Sequence, residues 1–361
     1  MAARTYFSRN YEEARQRFLD SAGAAAAALD AKANPLTGPK GEALSADFAW
    51  LGPRDAERVL VTISATHGVE GFCGSGAQVG WLESGLYREQ PPGTGHLMIH
   101  AINPHGFAWL RRVTEDNVDL NRNFVDHGAA YPENLGYEAL AGTLCPDEWD
   151  EGVIAGTQKV LDAYAEAHGR TALQTAISGG QYRHPDGIFF GGHRPTWSRL
   201  VMEEVFETRL AHAQRVAVVD FHTGLGPYGH GERICVHAPG SAGLRRAAEW
   251  YRGDITSPAL GTSSSVELHG CNEVGMERAL AGRELTAVAL EYGTIPTPEV
   301  RLALRADNWL HHHGELGSAK SAAIKDQIRA AFYPDKDDWK DLVWDRAVET
   351  LRLALKGLSE G

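Results

Sequence analysis

The sequence predicts an α/β sandwich in which helices cover both faces of a mixed or parallel sheet. Five short apolar runs that end in Gly, Asn or His carry this prediction, at residues 58–68, 96–106, 215–224, 233–240 and 285–293. Runs that are apolar on both faces are typical of strands buried between two layers of helices. Helical patterns lie between the runs, at residues 146–166 and 195–213, which favours an alternation of strands and helices.

Composition limits the classes of protein to which the chain can belong. Its 361 residues are 43% hydrophobic, and 35 Lys and Arg against 47 Asp and Glu give a net charge of −12. Such a charge argues against a protein that wraps nucleic acid. Four cysteines argue against a disulfide scaffold, and no run approaches the roughly 20 apolar residues that a membrane helix needs. We therefore expect a soluble, reduced, cytoplasmic protein that binds neither nucleic acid nor membrane.

The whole chain, residues 1–361, is expected to form a single domain, since no Pro- or Ser-rich linker and no internal repeat divides it. Residues 9–32 combine an apolar stripe with an alanine-rich run, which predicts a helix and makes residues 1–45 an N-terminal helical extension. At the other end, the spacing of apolar residues predicts a C-terminal helix over 336–358.

Three residues at strand ends are candidate metal ligands. His67 and Glu70 stand three residues apart directly after the first apolar run, so both side chains can face one point. His222, in VVDFHTG, ends another such run, although a core histidine with satisfied hydrogen bonds is an equally good reading of that residue alone. Two nitrogens and one carboxylate leave a position open for water, which suits catalytic zinc. Zinc would lower the pKa of that water and polarise a carbonyl group.

Two further segments add chemistry to this centre. Glu291 closes the last apolar run, where an unpaired carboxylate is costly unless it opens into a cleft, so we interpret it as a general base. The segment 103–124 carries Arg111, Arg112, Asn121 and Arg122, fixed donors that could hold a carboxylate or an oxyanion. A solvated surface loop is the alternative for that segment.

Other enzyme classes fit less well. The stretch GSGAQVG at 74–80 has the wrong final spacing for a dinucleotide fingerprint, and the next strand ends without the acidic residue that would hold a ribose. Small residues there are better explained by close packing of a helix on the sheet. No GxSxG sequence occurs, which disfavours a serine hydrolase of the usual α/β kind.

Taken together and in order, the motifs HGVE, NPHGF, VDLNRNF and DFHTG and the late strand glutamate resemble the zinc carboxypeptidases of the M14 type. Within that clan the chain most resembles a bacterial branch of metallopeptidases of unknown function (DUF2817-like), marked by GGQYRHPDGIFFGG at 179–192. The resemblance covers residues 45–310. It implies a three-layer α/β/α sandwich around a mixed, mostly parallel sheet of about eight strands.

The resemblance also implies roles for individual residues in binding one zinc ion per chain. His67, Glu70 and His222 would hold the metal. Asp119 would orient the first zinc histidine and fix its tautomer. Glu291 would activate water and later protonate the leaving amine.

For substrate recognition, the resemblance leaves more than one residue possible in some roles. Arg112 would polarise the scissile carbonyl, with Arg111 as the second candidate, while Asn121 and Arg122 would grip the free carboxylate of the substrate. Digestive relatives use a mobile tyrosine, in whose place this chain has His269. Either His269 or Tyr182 of the 179–192 motif is expected to line the pocket. Met276 and Leu280 suggest an apolar wall of that pocket.

The sequence therefore predicts a zinc-dependent hydrolase that cleaves an amide bond next to a free carboxylate, most simply a metallocarboxypeptidase acting on short peptides. An N-acyl amino acid deacylase of the same clan is the alternative, because the same metal ligands and base would serve it. A binding protein with a vestigial site is the third interpretation. The pattern leaves the side-chain specificity and the oligomeric state open.

Overall fold

One mixed sheet of seven strands forms the centre of the protein, as a computed structural model that describes residues 2–360 shows. The strands lie in the order β1-β2-β4-β3-β5-β7-β6. Their bounds are β1 Ala28–Thr37, β2 Ala43–Leu51, β3 Arg58–Ile63, β4 Thr94–His100, β5 Arg215–Tyr228, β6 Gly231–Ile234 and β7 Glu284–Gly293. The four central strands, β4, β3, β5 and β7, pair in parallel, and the outer pairings are antiparallel.

Twelve α-helices surround this sheet in the described part of the chain. Their bounds are α1 Tyr11–Ala24, α2 Gly71–Glu83, α3 Pro104–Ala108, α4 Leu135–Leu144, α5 Glu151–His168, α6 Arg170–Ser178, α7 Trp197–Arg209, α8 Ala242–Trp250, α9 Asn272–Ala279, α10 Thr297–His313, α11 Ala319–Phe332 and α12 Asp337–Ser359. Among residues 2–360, no helix combines the length and the apolar character needed to cross a membrane.

Alternation along the central strands builds the three layers. In β3, Val59, Val61 and Ile63 face a core formed with α7 and α9, whereas Leu60 faces a second core formed with α1, α2 and α12. A strand covered on both faces must be apolar on both faces, as the five predicted runs are. The predicted α/β sandwich is confirmed, with seven strands and parallel pairing confined to the centre. Four of the five predicted runs coincide largely with β3, β4, β5 and β7, whereas the run at 233–240 overlaps β6 only at Arg233 and Ile234.

The N-terminal prediction is partly wrong. Helix α1 ends at Ala24, Ala26 adopts a left-handed φ of 57°, and the chain then forms β1, which pairs antiparallel with β2. Helix propensity of the alanine run is overridden because β1 completes the hydrogen bonding of β2 at the sheet edge. The C-terminal helix is confirmed as α12, and the single-domain expectation stays a prediction.

Helix α2 anchors the predicted metal loop against the sheet. A Cβ atom at Gly74 would lie 2.6 Å from Cβ of Ser64 and 2.9 Å from Cβ of Phe221, so only glycine allows this approach. Gly74 thus packs the helix closely on the sheet, as expected, whereas Gly76 and Gly80 face the rings of Phe7, Tyr6 and Trp344. The helix starts at Gly71, directly after Glu70, and this fixes the direction in which Glu70 points.

The sheet topology brings the candidate residues to one edge. Strands β3, β5 and β7 are parallel neighbours, so their carboxyl ends meet. Within this edge His222 of β5 lies directly beside Glu291 of β7. A left-handed φ of 60° at Ala65 turns the chain out of β3 towards His67.

Candidate active site

His67, Glu70 and His222 converge on one point. Nδ1 of His67 lies 3.0 Å from Oε1 of Glu70, and Nδ1 of His222 lies 3.2 Å from Oε2 of the same carboxylate. The two Nδ1 atoms are 3.2 Å apart. All three residues are buried, so solvent does not separate these atoms. The arrangement offers two imidazole nitrogens and a carboxylate to a single ion.

The outer nitrogen of each imidazole faces a buried carboxylate. Nε2 of His67 hydrogen-bonds to Oδ1 of Asp119 at 3.0 Å, and Nε2 of His222 lies 2.9 Å from Oδ2 of Asp220. With the proton on Nε2, beside the carboxylate, each imidazole would turn the lone pair of Nδ1 inward. At His67 the same Nε2 also lies 2.9 Å from Nη2 of Arg112. Two inward lone pairs and the Glu70 carboxylate repel one another unless a cation lies between them, so the donor set fits a divalent metal.

Local charges keep these carboxylates ionised. Burial alone would raise the pKa of Asp119, but Arg112, Arg122 and His67 hold it well below its usual range. The pKa of Glu70 is lowered in the same way, since His67 and His222 outweigh the effect of burial. Burial would lower the pKa of His222, yet Asp220 and Glu70 raise it well above its ordinary value. The centre is therefore built from groups that stabilise positive charge.

The two neighbouring arginines point in different directions. Arg112 faces the metal site, with Nη1 2.9 Å from Oε1 of Glu70 and Nε 3.0 Å from Oδ2 of Asp119. Arg111 points away, and its Nε donates to Asp307 of α10 at 3.1 Å. Asn117 accepts a further hydrogen bond from Nη2 of Arg111, at 2.9 Å. The structure thus places Arg112 at the centre and Arg111 in a buried ion pair.

Asn121 and Arg122 lie beside the metal site, and both keep N–H groups that make no hydrogen bond within the described residues. Asn121 accepts a hydrogen bond from the backbone N–H of Asn272 through its Oδ1, at 2.8 Å, and its Nδ2 makes no hydrogen bond within residues 2–360. Arg122 donates to the carbonyl oxygens of Ser178 and Asn121, which fixes the guanidinium plane. One N–H remains on each of its terminal nitrogens. Both residues can therefore donate to an anion in the cavity.

Glu291 stands apart from the metal-site carboxylate. The backbone N–H of Leu225 donates to its Oε1 at 2.9 Å, while Oε2 makes no hydrogen bond within the described chain. Burial and the charge of Glu70 raise the pKa of Glu291 to about 8. A carboxyl group with a raised pKa is suited to accept and return a proton near neutral pH.

A cavity of about 310 Å³ connects these groups. It has a floor of metal-site residues and largely apolar walls from β6, from the segment 258–268 and from α10. The sequence-predicted residues that line it are His67, Arg112, Asn121, Arg122, His222 and Glu291.

Other sequence-predicted residues lie elsewhere. Tyr182 is buried behind Arg122, where its hydroxyl donates to the Arg122 carbonyl oxygen at 2.7 Å and its ring stacks on Tyr131. His269 is exposed, and neither Tyr182 nor His269 lines the cavity. The expectation that one of them lines the pocket does not fit this geometry, because packing of the 179–192 segment uses the tyrosine as support.

Residues other than the predicted ones form the apolar wall of the cavity. Met276 and Leu280 pack with α7 beneath the sheet and are almost fully buried there. The prediction that they form a wall of the pocket is wrong, since α9 turns these apolar positions towards the core.

Two contributors to the site were missed. Asp220 lies 2.9 Å from the outer nitrogen of His222, and the i, i+2 spacing in DFH could have revealed it because alternate strand residues share a face. Phe189 lies under both guanidinium groups, 5.2 Å from Arg112 and 5.5 Å from Arg122, and adopts a left-handed φ of 56°. No local pattern predicts such a contact, which depends on the fold of the loop.

Known proteins with similar structures are distant in sequence. Carboxypeptidase A from Helicoverpa armigera is 14% identical over 95% of this chain and 74% of that chain, with a TM-score of 0.45. Bovine thrombin-activatable fibrinolysis inhibitor is 9% identical over 96% of this chain and 99% of that chain, with a TM-score of 0.44. The succinylglutamate desuccinylase from Chromobacterium violaceum is 14% identical over 87% and 72%, with a TM-score of 0.37. At these values none of the similarities carries a function to this chain.

Sequence comparison gives the family. No curated protein matches the sequence. A family model described as "Protein of unknown function (DUF2817)" matches residues 7–346, nearly the whole chain, and this confirms the resemblance noted from the 179–192 motif. The chain belongs to the DUF2817 family.

Proposed function

We propose that the protein is a zinc-dependent hydrolase that cleaves an amide bond next to a free carboxylate, releasing the C-terminal amino acid of a short peptide. One observation carries this proposal. The converging atoms of His67, Glu70 and His222 share a single cavity with an acid–base candidate and with free anion-binding donors. Each of these parts occurs alone in many proteins, but their combination is that of a metallohydrolase site.

His67, Glu70 and His222 would hold one zinc ion through two nitrogens and a carboxylate. When bound, zinc supplies Lewis acidity, which polarises a carbonyl group and lowers the pKa of water. Asp119 and Asp220 support this role from outside, since each faces the outer nitrogen of one histidine.

Glu291 is the proposed proton carrier. Its Oε1 is fixed by the Leu225 N–H, so Oε2 is free to accept a proton from the attacking water. The same proton then passes to the amide nitrogen as the C–N bond breaks, and the hydroxyl group stays on the acyl carbon. This cycle returns Glu291 to its starting state.

The basic residues position the substrate. Asn121 and Arg122 would bind the free carboxylate, because both keep unused donors and line the cavity. Arg112 would stabilise negative charge on the scissile carbonyl oxygen with the N–H groups that Glu70, Asp119 and His67 leave free. Phe189 beneath both guanidinium groups keeps them in place.

Product analysis tests the proposal directly. Zinc-loaded protein is incubated with short peptides and N-acyl amino acids, with Glu291→Gln as the blank, and the products are identified by mass spectrometry. Release of single C-terminal residues is the expected result. Cleavage confined to N-acyl amino acids would assign the deacylase reaction instead, and absence of any product with zinc bound would contradict a hydrolytic function.

A further inference from the structure

Glu273 is a buried carboxylate with one unpaired oxygen. It stands in the first turn of α9, is only 4% exposed and lines the same cavity as the metal site. Its Oε2 is buried and has no hydrogen-bond partner, and the side chain forms no ion pair within residues 2–360. This oxygen therefore makes no stabilising contact, although burying it is costly.

The wall around Glu273 carries a second carboxylate, and no described residue forms an ion pair with Glu273. Glu267, from the same stretch of chain, also lines the cavity and makes no ion pair within the described residues. Arg122 and Arg301 are basic residues of the same cavity, and neither forms an ion pair with Glu273. Burial raises the pKa of Glu273, with the Asp220 carboxylate acting in the same direction. A bound cation would relieve this unfavourable environment.

The rest of this wall is apolar. Ile234 and Val236 on and just after β6, Val266 and Leu268 on the 258–268 segment, and Ala289 of β7 line the cavity. Apolar walls that end at a carboxylate match a side chain with a long aliphatic stem and a cationic head, because such side chains bury the stem and pair the charge.

We propose that Glu273 is a specificity-determining residue that recognises the cationic head of an arginine or lysine side chain next to the scissile bond. This inference rests on the proposed hydrolase function, which supplies the bond that is cleaved. It names the substrate class: peptides ending in a basic residue, or the N-acyl form of a basic amino acid.

Arginine and citrulline provide the matched test, since citrulline keeps the shape of arginine and loses its charge. Zinc-loaded full-length protein is assayed on benzoylglycyl-arginine and benzoylglycyl-citrulline, and on N-acetylarginine and N-acetylcitrulline. The expected result is a kcat/KM about 10- to 100-fold higher for the arginine member of whichever pair is cleaved, as for a charged hydrogen bond in a buried site. Equal rates on both members would overturn the inference and leave the hydrolase function standing.

Variants separate recognition from folding. Glu273→Gln should reduce the arginine preference to within a few-fold. Its free form should unfold at the same or a higher temperature than wild type, because the buried Oε2 makes no hydrogen bond that the amide would lose. Glu277→Gln is the matched control on the same helix, where the carboxylate contacts His237 instead of the cavity. Its arginine preference should equal that of wild type. A Glu273→Gln protein that keeps the full preference contradicts the proposal.

A binding measurement distinguishes failure of the proposed hydrolase function from failure of the proposed specificity. Free arginine should raise the unfolding temperature of wild type more than free citrulline does, and Glu273→Gln should remove the difference. If arginine binds in this way but no substrate is cleaved, the proposed function fails and the recognition of a basic group stands. If neither binding nor cleavage distinguishes arginine from citrulline, Glu273 does not determine specificity.

Discussion

Asp220 is predicted to be essential for tight metal binding although it is no metal ligand itself. Its Oδ2 lies 2.9 Å from Nε2 of His222 and accepts a hydrogen bond from Nδ2 of Asn272 at 2.7 Å. The hydroxyl of Thr66 donates to the same carboxylate at 2.9 Å. Without the negative charge of Asp220, the tautomer of His222 with its proton on Nε2 would no longer be favoured. Nδ1 of His222 would then be a poorer ligand for the metal.

The change that tests this is Asp220→Asn, which keeps the volume and one acceptor oxygen. Loss of a carboxylate behind a metal-binding histidine lowers affinity by about 10- to 100-fold. At this site we expect zinc affinity to fall by that factor, which corresponds to about 1.4–2.7 kcal/mol of binding free energy. Competition with a chromophoric chelator at fixed pH and ionic strength measures it.

Asp307→Asn is the matched control. Asp307 is also buried and paired with Arg111 and Lys325, but it lies on α10 away from the ligands. This variant should lose stability and retain wild-type zinc affinity. An unchanged zinc affinity in Asp220→Asn, or an equal loss in Asp307→Asn, would refute the idea that Asp220 orients His222.

Further predictions concern catalysis, packing and pH. Glu291→Gln should bind zinc as wild type does and lose turnover, whereas His67→Ala should lose zinc itself; metal analysis together with the product assay distinguishes the two. Gly74→Val should lower the free energy of unfolding in urea by about 1–3 kcal/mol, because its Cβ atom meets the sheet; unaltered stability would contradict the packing of α2. Burial lowers the pKa of His96 to about 3 and that of His100 to about 4, so both stay neutral in the folded protein. The contribution of each neutral histidine to the free energy of unfolding is fully present above about pH 6.5. It decreases on acidification towards pH 4 by about 1.4 kcal/mol per pH unit for each histidine. Urea unfolding between pH 7 and pH 4.5 measures how steeply the free energy of unfolding depends on pH. His100→Gln should reduce this slope by the contribution of one proton.

The residues at strand ends were accessible from sequence because their signal is local. An apolar run that stops at a polar residue identifies both the strand and the carboxyl edge, and parallel pairing then brings His67, His222 and Glu291 together. In contrast, β1 is largely exposed and rich in polar residues and alanine, so neither its period nor its composition indicates a strand. It forms only as the partner of β2.

Side-chain contacts between loops were not accessible in this way. Tyr182 stands in a glycine-rich motif that suggests a pocket, but its hydroxyl supports the backbone of Arg122. Glu273 carries no local signal, because its significance depends on an oxygen that is buried and unpaired in the folded protein. Such roles follow from tertiary packing and not from residue spacing.

The central claim is that His67, Glu70 and His222 form a metal site. Crystals of the zinc-loaded protein, measured on both sides of the zinc absorption edge, test it most directly. A single anomalous peak within bonding distance of Nδ1 of His67, the Glu70 carboxylate and Nδ1 of His222 is the predicted result. A zinc-loaded crystal with no peak there, or with zinc bound only at other residues, would contradict the account.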